Sequence, residues 1–139
     1  MKTSTSLNIT LVDDDPFCLS YYEQYLTSLG FQHITVFDNG TDCVSNLTRQ
    51  TDIVFVDYQM DMLNGMDVLK EIKRFNPDIY VVFISGQEEV QVALDAFRNG
   101  AFDYIVKGKN DIIKIAGVLN KIIQSREVIE LAGSMNRSY

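Results

Sequence analysis

Tryptophan is absent from the 139 residues, histidine occurs once (His33), and there are only two cysteines and two prolines. A single histidine removes His-based catalytic triads, and without a C-x-x-C pair or a His–Cys cluster the usual zinc sites are excluded as well. Cys18 and Cys43 are expected as reduced, mostly buried thiols of a cytoplasmic protein. Positive charge is also scarce: 12 basic residues against 19 acidic ones leave a net charge of −7, which argues against a nucleic-acid surface over the chain as a whole. Long hydrophobic runs are missing. The apolar stretch that follows the polar residues 1–8 stops at Asp13, too short for a signal peptide or a membrane span. No G-x-x-x-x-G-K-[ST] loop occurs, which excludes a nucleotide hydrolase of that class.

What is present is an ordinary globular composition, 46% hydrophobic and 22% charged. A chain of this size buries roughly 68% of its unfolded surface, enough for one core without disulfides or a structural metal. No internal repeat or low-complexity segment interrupts it. Instead, two hydrophobic periods alternate. Nearly unbroken apolar runs lie at Asn8–Val12, Asp52–Val56, Ile79–Ile84 and Phe102–Val106, with a patterned one at Phe31–Phe37. Strands without polar alternation are those covered on both faces, as in parallel sheets. Helical spacing separates them, in Tyr22, Tyr25, Leu26 and Leu29, in Val90, Ala93, Leu94 and Phe97, and in Ile112, Ile115, Ala116 and Leu119 continuing to Ile123. Asp15-Pro16 reads as a cap followed by a first-turn proline, and Gly30 as the stop of that helix. Shorter helices are expected over Thr41–Arg49 and over Met66–Phe75, the latter stopped by Asn76-Pro77. Five strands alternating with five helices predict an α/β, (βα)5 doubly wound parallel sheet. The expected domain is 1–132, with 133–139 a tail or the start of a linker.

The polar residues of interest follow the strands. The first run ends in Asp13-Asp14-Asp15, the third in Asp57, the fourth in Ser85-Gly86 and the fifth in Lys107. In an open α/β sheet the ligand crevice lies off the carboxyl ends of the strands, so these groups converge. Asp13, Asp14 and Asp57 are hard oxygen donors suited to Mg²⁺, with Mn²⁺ as an alternative, and clustered carboxylates need a cation or a lysine to stay ionised. Lys107 offers a point charge and Ser85 a hydroxyl for phosphoryl oxygens. A carboxylate nucleophile among such groups can form an aspartyl phosphate. Asp15 is expected to act only as a helix cap.

Taken in order, Val12-Asp13-Asp14-Asp15, Val56-Asp57-Tyr58-Gln59-Met60 with Gly65, Ile84-Ser85-Gly86 and Asp103-Tyr104-Ile105-Val106-Lys107 closely resemble the receiver domain of two-component response regulators. The resemblance covers residues 8–131 and implies a flavodoxin-like fold with strand order 2-1-3-4-5. It implies that Asp57 accepts a phosphoryl group from a histidine kinase or phosphotransfer protein in a bacterial phosphorelay. By the same resemblance Asp13, Asp14, Asp57 and the backbone carbonyl of Gln59 hold Mg²⁺. Lys107 pairs with Asp57 and then with the phosphoryl oxygen, and Ser85 and Tyr104 act as the coupled switch. Gln59 and Gln87 flank the phosphoryl group and tune its hydrolysis. The face of the fourth helix, fifth strand and fifth helix carries the output, to a partner, to an attached domain or through a homodimer. Such a chain is not a conventional enzyme, although it catalyses its own phosphorylation and dephosphorylation, and it serves either alone or as the receiver piece of a longer regulator.

Two positions depart from the family pattern: Asp61 and Gly108 stand where prolines are usual. A cis bond costs ~3–4 kcal/mol without proline, so a trans peptide and a looser Lys107 loop are expected. Asp61 either helps hold Mg²⁺ through water or is simply exposed. Two other readings compete. A haloacid-dehalogenase-type phosphatase would use Asp13-x-Asp15, but it needs a further acid pair after the lysine, where only Asp111 follows, and it leaves Asp57 unexplained. A receiver-shaped interaction module would have no need of the full set Asp13, Asp14, Asp57, Ser85 and Lys107.

Overall fold

The computed structural model describes residues 6–86, 88–108 and 110–136, with residues 135 and 136 described by their backbone alone. Five helices alternate with five strands: β1 (Asn8–Val12), α1 (Pro16–Ser28), β2 (His33–Phe37), α2 (Gly40–Ser45), β3 (Ile53–Val56), α3 (Gly65–Phe75), β4 (Tyr80–Ser85), α4 (Val90–Arg98), β5 (Asp103–Val106) and α5 (Asp111–Asn136). All pairings are parallel, in the order β2-β1-β3-β4-β5.

The apolar runs lack polar alternation because each strand feeds two cores. Ile9 and Leu11, Ile53 and Phe55, and Val82 and Ile84 point to one face, where Leu26 of α1 and Ile115, Leu119 and Ile122 of α5 cover them. Val54 and Val56, and Val81 and Phe83, point to the other, beneath Cys43 of α2, Val68, Leu69 and Ile72 of α3, and Ala96 of α4. The edge strand β2 is largely exposed, which is why its run alone is patterned.

Local chemistry sets the helix ends. The Asp15 carboxylate accepts from the Phe17 amide at 2.9 Å, Pro16 opens α1, and Gly30 leaves it at φ +99°. At α3 the Asn64 side chain accepts from the Asp67 amide at 2.9 Å while Asp67 accepts from the Asn64 amide at 3.1 Å. Two helix lengths differ from the pattern. α2 ends at Ser45, short of Arg49, because the Asn46 side-chain amide turns back onto the Asp42 carbonyl at 2.8 Å and satisfies it from outside the helix. α5 runs through Gly133 to Asn136, so position 132 does not coincide with the end of an element. Residues 137–139 lie outside the described residues, as does Gln87. No described peptide bond is cis, in keeping with glycine rather than proline at position 108. No helix among the described residues is long and apolar enough to cross a membrane.

Candidate functional site

The in-register parallel pairing assembles the site. Val12 on β1 lies opposite Val56 on β3, so Asp13 and Asp57, one residue further along each strand, leave the sheet side by side. The Asp57 amide still donates to the Val12 carbonyl at 2.9 Å, which fixes the second carboxylate beside the first. Ser85 on β4 lies opposite Val106 on β5, and the Lys107 amide donates to the Ser85 carbonyl at 2.8 Å. The tips of β1, β3, β4 and β5 thus converge on one edge of the sheet.

There, one oxygen from each of Asp13, Asp14 and Asp57 lies within 4.8 Å of the other two. Asp13 and Asp57 are buried and Asp14 is exposed. Lys107 reaches between the buried pair, its Nζ 2.7 Å from Asp13 Oδ2 and 3.7 Å from Asp57 Oδ2. Asp13 is therefore its nearer partner, where the family pattern alone implied Asp57. The carboxylates open into a solvent-facing basin that also takes in Gln59, Asp61, Asn64, Gly86 and Lys107.

Electrostatically the basin is short of positive charge. Burial, then the charge of Asp13, pushes the Asp57 carboxyl up to about 6; Lys107 opposes the rise and Asp14 adds to it. Burial pulls the Lys107 ammonium down, but its hydrogen bond to Asp13 and the charges of Asp13 and Asp57 outweigh this and leave it raised. One lysine cannot neutralise three carboxylates. A divalent cation with hard-oxygen preference fits the deficit, and Asp13, Asp14 and Asp57 are the described acids close enough together to hold one.

Ser85 and Tyr104 are placed differently. Ser85 is fully buried and is hydrogen-bonded to the Tyr104 side chain, so its hydroxyl lies beside the basin rather than lining it. The Tyr104 ring stacks on Phe83 at 5.7 Å and 25°, and burial raises its phenol above the ordinary value. Asp15 is spent on capping α1, and the Phe17 amide, followed by the Cys18 thiol, holds its carboxyl below the usual range. Asp61 is exposed at the basin rim.

Gly65 is required by contact: a Cβ there would land on the Asp57 carbonyl oxygen and lie 2.7 Å from Phe83 and 2.8 Å from Tyr58 Cα. Its amide donates to the Tyr58 carbonyl at 2.8 Å, clamping the loop that carries Asp57. A further buried pair, Tyr22 with Asp111, had no signature in the sequence, because the two residues are 89 apart and belong to different elements.

The description "response regulator receiver domain" matches residues 9–128. The chain belongs to that family. Among curated receiver-containing proteins, the luminescence regulatory protein LuxO of Vibrio campbellii is 31% identical over 98 residues, which are 70% of this chain and 21% of that protein. The DNA-binding transcriptional regulator NtrC of Klebsiella pneumoniae is 33% identical over 98 residues, again 70% of this chain and 21% of its own length. The chain thus spans about a fifth of these relatives. Among solved receiver structures, a CheX–CheY–BeF3–Mg complex from Borrelia burgdorferi superposes with a TM-score of 0.78 at 29% identity, covering 84% of this chain and 89% of that one. A receiver domain protein from Clostridium thermocellum gives 0.79 at 25% identity, covering 88% and 98%. The receiver assignment favours neither competing reading. Asp15 lies at the basin but its carboxylate caps α1, and Asp111, the one acid that could follow the lysine in a phosphatase, does not line the basin.

Proposed function

We propose that Asp57 is the phosphoacceptor of this receiver domain, with a phosphohistidine on a histidine kinase or phosphotransfer protein as donor. The observation that carries the reading is the buried Asp57 carboxylate at the floor of an open basin, beside two further acids and one lysine. An Asp57 oxygen attacks phosphorus, the new O–P bond forms as the donor's N–P bond breaks, and the imidazole nitrogen leaves with the electron pair. Asp13, Asp14 and Asp57, with the Gln59 carbonyl, would hold Mg²⁺. When bound, the ion neutralises charge on the carboxylates and on the phosphoryl oxygens. Lys107 stays within reach of the same oxygens, and its ammonium pairs with the negative charge of the phosphoryl oxygens once the Asp57 carboxylate has become an acyl phosphate.

Ser85 then exchanges part of its bond to Tyr104 for one to the phosphoryl group. Because Tyr104 is on β5, this alters the α4–β5–α5 face, where Val90, Leu94, Phe97 and Ile113 are exposed. That face meets a partner protein, an attached output domain or a second copy, in the cytoplasm and without direct nucleic-acid contact by this chain. The test is incubation with a small phosphodonor and Mg²⁺, followed by mapping of the acyl phosphate after borohydride trapping. Label on Asp57, abolished in Asp57→Asn, is expected; label on Asp13 with Asp57 untouched overturns the reading.

A further inference from the structure

We propose that Tyr22 and Asp111 are positioning residues for Lys107, acting through the backbone of Gly108; the inference rests on the phosphoacceptor reading above. Tyr22 lies in the buried stripe of α1, packed with Leu26 against Ile9 and the α5 residues. A phenylalanine would bury the same ring there without a hydroxyl to satisfy. Instead the Tyr22 hydroxyl donates to Asp111 Oδ2 at 2.7 Å, and both residues are nearly inaccessible, at 5% and 7% exposure. A buried carboxylate is costly unless its oxygens are bonded. Those of Asp111 are spent in a directed way. Oδ1 accepts from the Ile112 amide at 2.8 Å, and Oδ2 accepts both the Tyr22 hydroxyl and the Gly108 amide, the latter at 3.3 Å. The Asp111 amide returns a bond to the Gly108 carbonyl at 3.3 Å.

The segment held in this way needs holding. Gly108 has φ +137° and Asn110 φ +72°, so the chain between Lys107 and α5 passes twice through the left-handed region. A Cβ at Gly108 would meet nothing within 4 Å, so packing does not restrain that residue. On the other side, the Lys107 amide is tied to the Ser85 carbonyl. Lys107 is therefore suspended between two backbone anchors. One is the sheet; the other is a carboxylate fixed by a hydroxyl from the opposite end of the chain. Lengthening the second anchor lets the ammonium drift from its place 3.7 Å from Asp57. The acids that would hold the metal sit on other loops, whose backbone is left alone; of these acids, Asp13 loses its ammonium partner as Lys107 drifts.

The experiment compares the intact chain with Tyr22→Phe, Asp111→Asn and Asp111→Ala, with thermal midpoints checking the fold. Asparagine keeps an acceptor for the Gly108 amide, and alanine keeps none. Three readouts are needed: Mg²⁺ affinity by NMR titration, the rate of Asp57 labelling by a small phosphodonor at saturating Mg²⁺, and the Gly108 amide resonance in metal-free protein. The expected result is a labelling rate about 3- to 10-fold lower for Tyr22→Phe and for Asp111→Ala, with Asp111→Asn between them and the wild type, while Mg²⁺ binding is not weakened, since a loosened Lys107 only frees Asp13. The Gly108 resonance shifts in step with the rate. An unchanged rate in Tyr22→Phe, or a rate and an Mg²⁺ affinity that fall together with the thermal midpoint, overturns the proposal in favour of simple packing. If the wild-type chain takes no label on Asp57, the phosphoacceptor reading fails. The anchor is then judged on the Gly108 resonance alone, which must shift in Tyr22→Phe or the anchor fails too.

Discussion

Replacing Asp57 by asparagine should stabilise the metal-free protein. Asp57 is 6% exposed, and burial with the charges of Asp13 and Asp14 raises its carboxyl from an ordinary 3.8 to about 6, a value that already includes the opposing pull of Lys107. The rise is about two units, and at about 1.4 kcal/mol per unit the ionised group costs the native state up to about 3 kcal/mol. Solvent in the open basin reduces this, so a gain of about 1–3 kcal/mol is expected for Asp57→Asn at pH 7. The sign follows from proton counting. Between pH 3.8 and about 6 the folded chain keeps a proton that the unfolded chain has released, so stability falls as the pH rises through that window. Above about 6 the cost is fully present, and below 3.8 it vanishes. Urea unfolding of wild type and variant in EDTA, at pH 7 and at pH 4, measures it. The variant should lead at pH 7 and lose its lead at pH 4. Adding Mg²⁺ at pH 7 should narrow or reverse the gap, since a cation bound to the native carboxylates stabilises only the chain that keeps them all. An Asp57→Asn protein that is no more stable at pH 7 in EDTA, or whose advantage is the same at pH 4, would refute the electrostatic account.

Asp14 is the exposed member of the acid cluster, so Asp14→Asn should weaken Mg²⁺ binding at least about 10-fold, seen by NMR titration, with little change in the urea midpoint in EDTA. Gly65→Ala drives a methyl group into the Asp57 carbonyl, Tyr58 and Phe83; it should cost about 1–3 kcal/mol in urea unfolding and slow labelling of Asp57. A fully stable variant would mean that the loop yields without strain. Cys43 is fully buried and its thiol is pushed up to about 12 by burial, whereas Cys18 is partly exposed. Iodoacetamide should therefore alkylate Cys18 in the native protein and reach Cys43 only on unfolding, with mass spectrometry of the two peptides as the check.

Several features could be read from the chain before folding. The four unbroken apolar runs report burial on both faces, because a strand sandwiched between helix layers has no polar side to show. Asp15-Pro16 and Gly30 bracket α1 by local hydrogen bonding and backbone freedom, which neighbouring residues suffice to determine. That Asp13, Asp57, Ser85 and Lys107 gather at one edge was legible because a parallel sheet brings all its carboxyl ends there.

Which of those groups touch was decided only in three dimensions. Lys107 hydrogen-bonds to Asp13 and stands further from Asp57 although both acids leave the sheet at the same level, a choice of partner on which periodicity carries no information. Ser85 is held by Tyr104 beside the basin through the pairing of β4 with β5. Gly65 is indispensable through a contact with a loop that only the docking of α3 creates. Tyr22 and Asp111 looked like one more helical aromatic and one isolated acid. They became a buried pair when α1 and α5 packed side by side on the same face of the sheet. Local patterns encode how exposed each residue is. The partner of a buried polar group is chosen by crossover and register, and these exist only once the chain has folded.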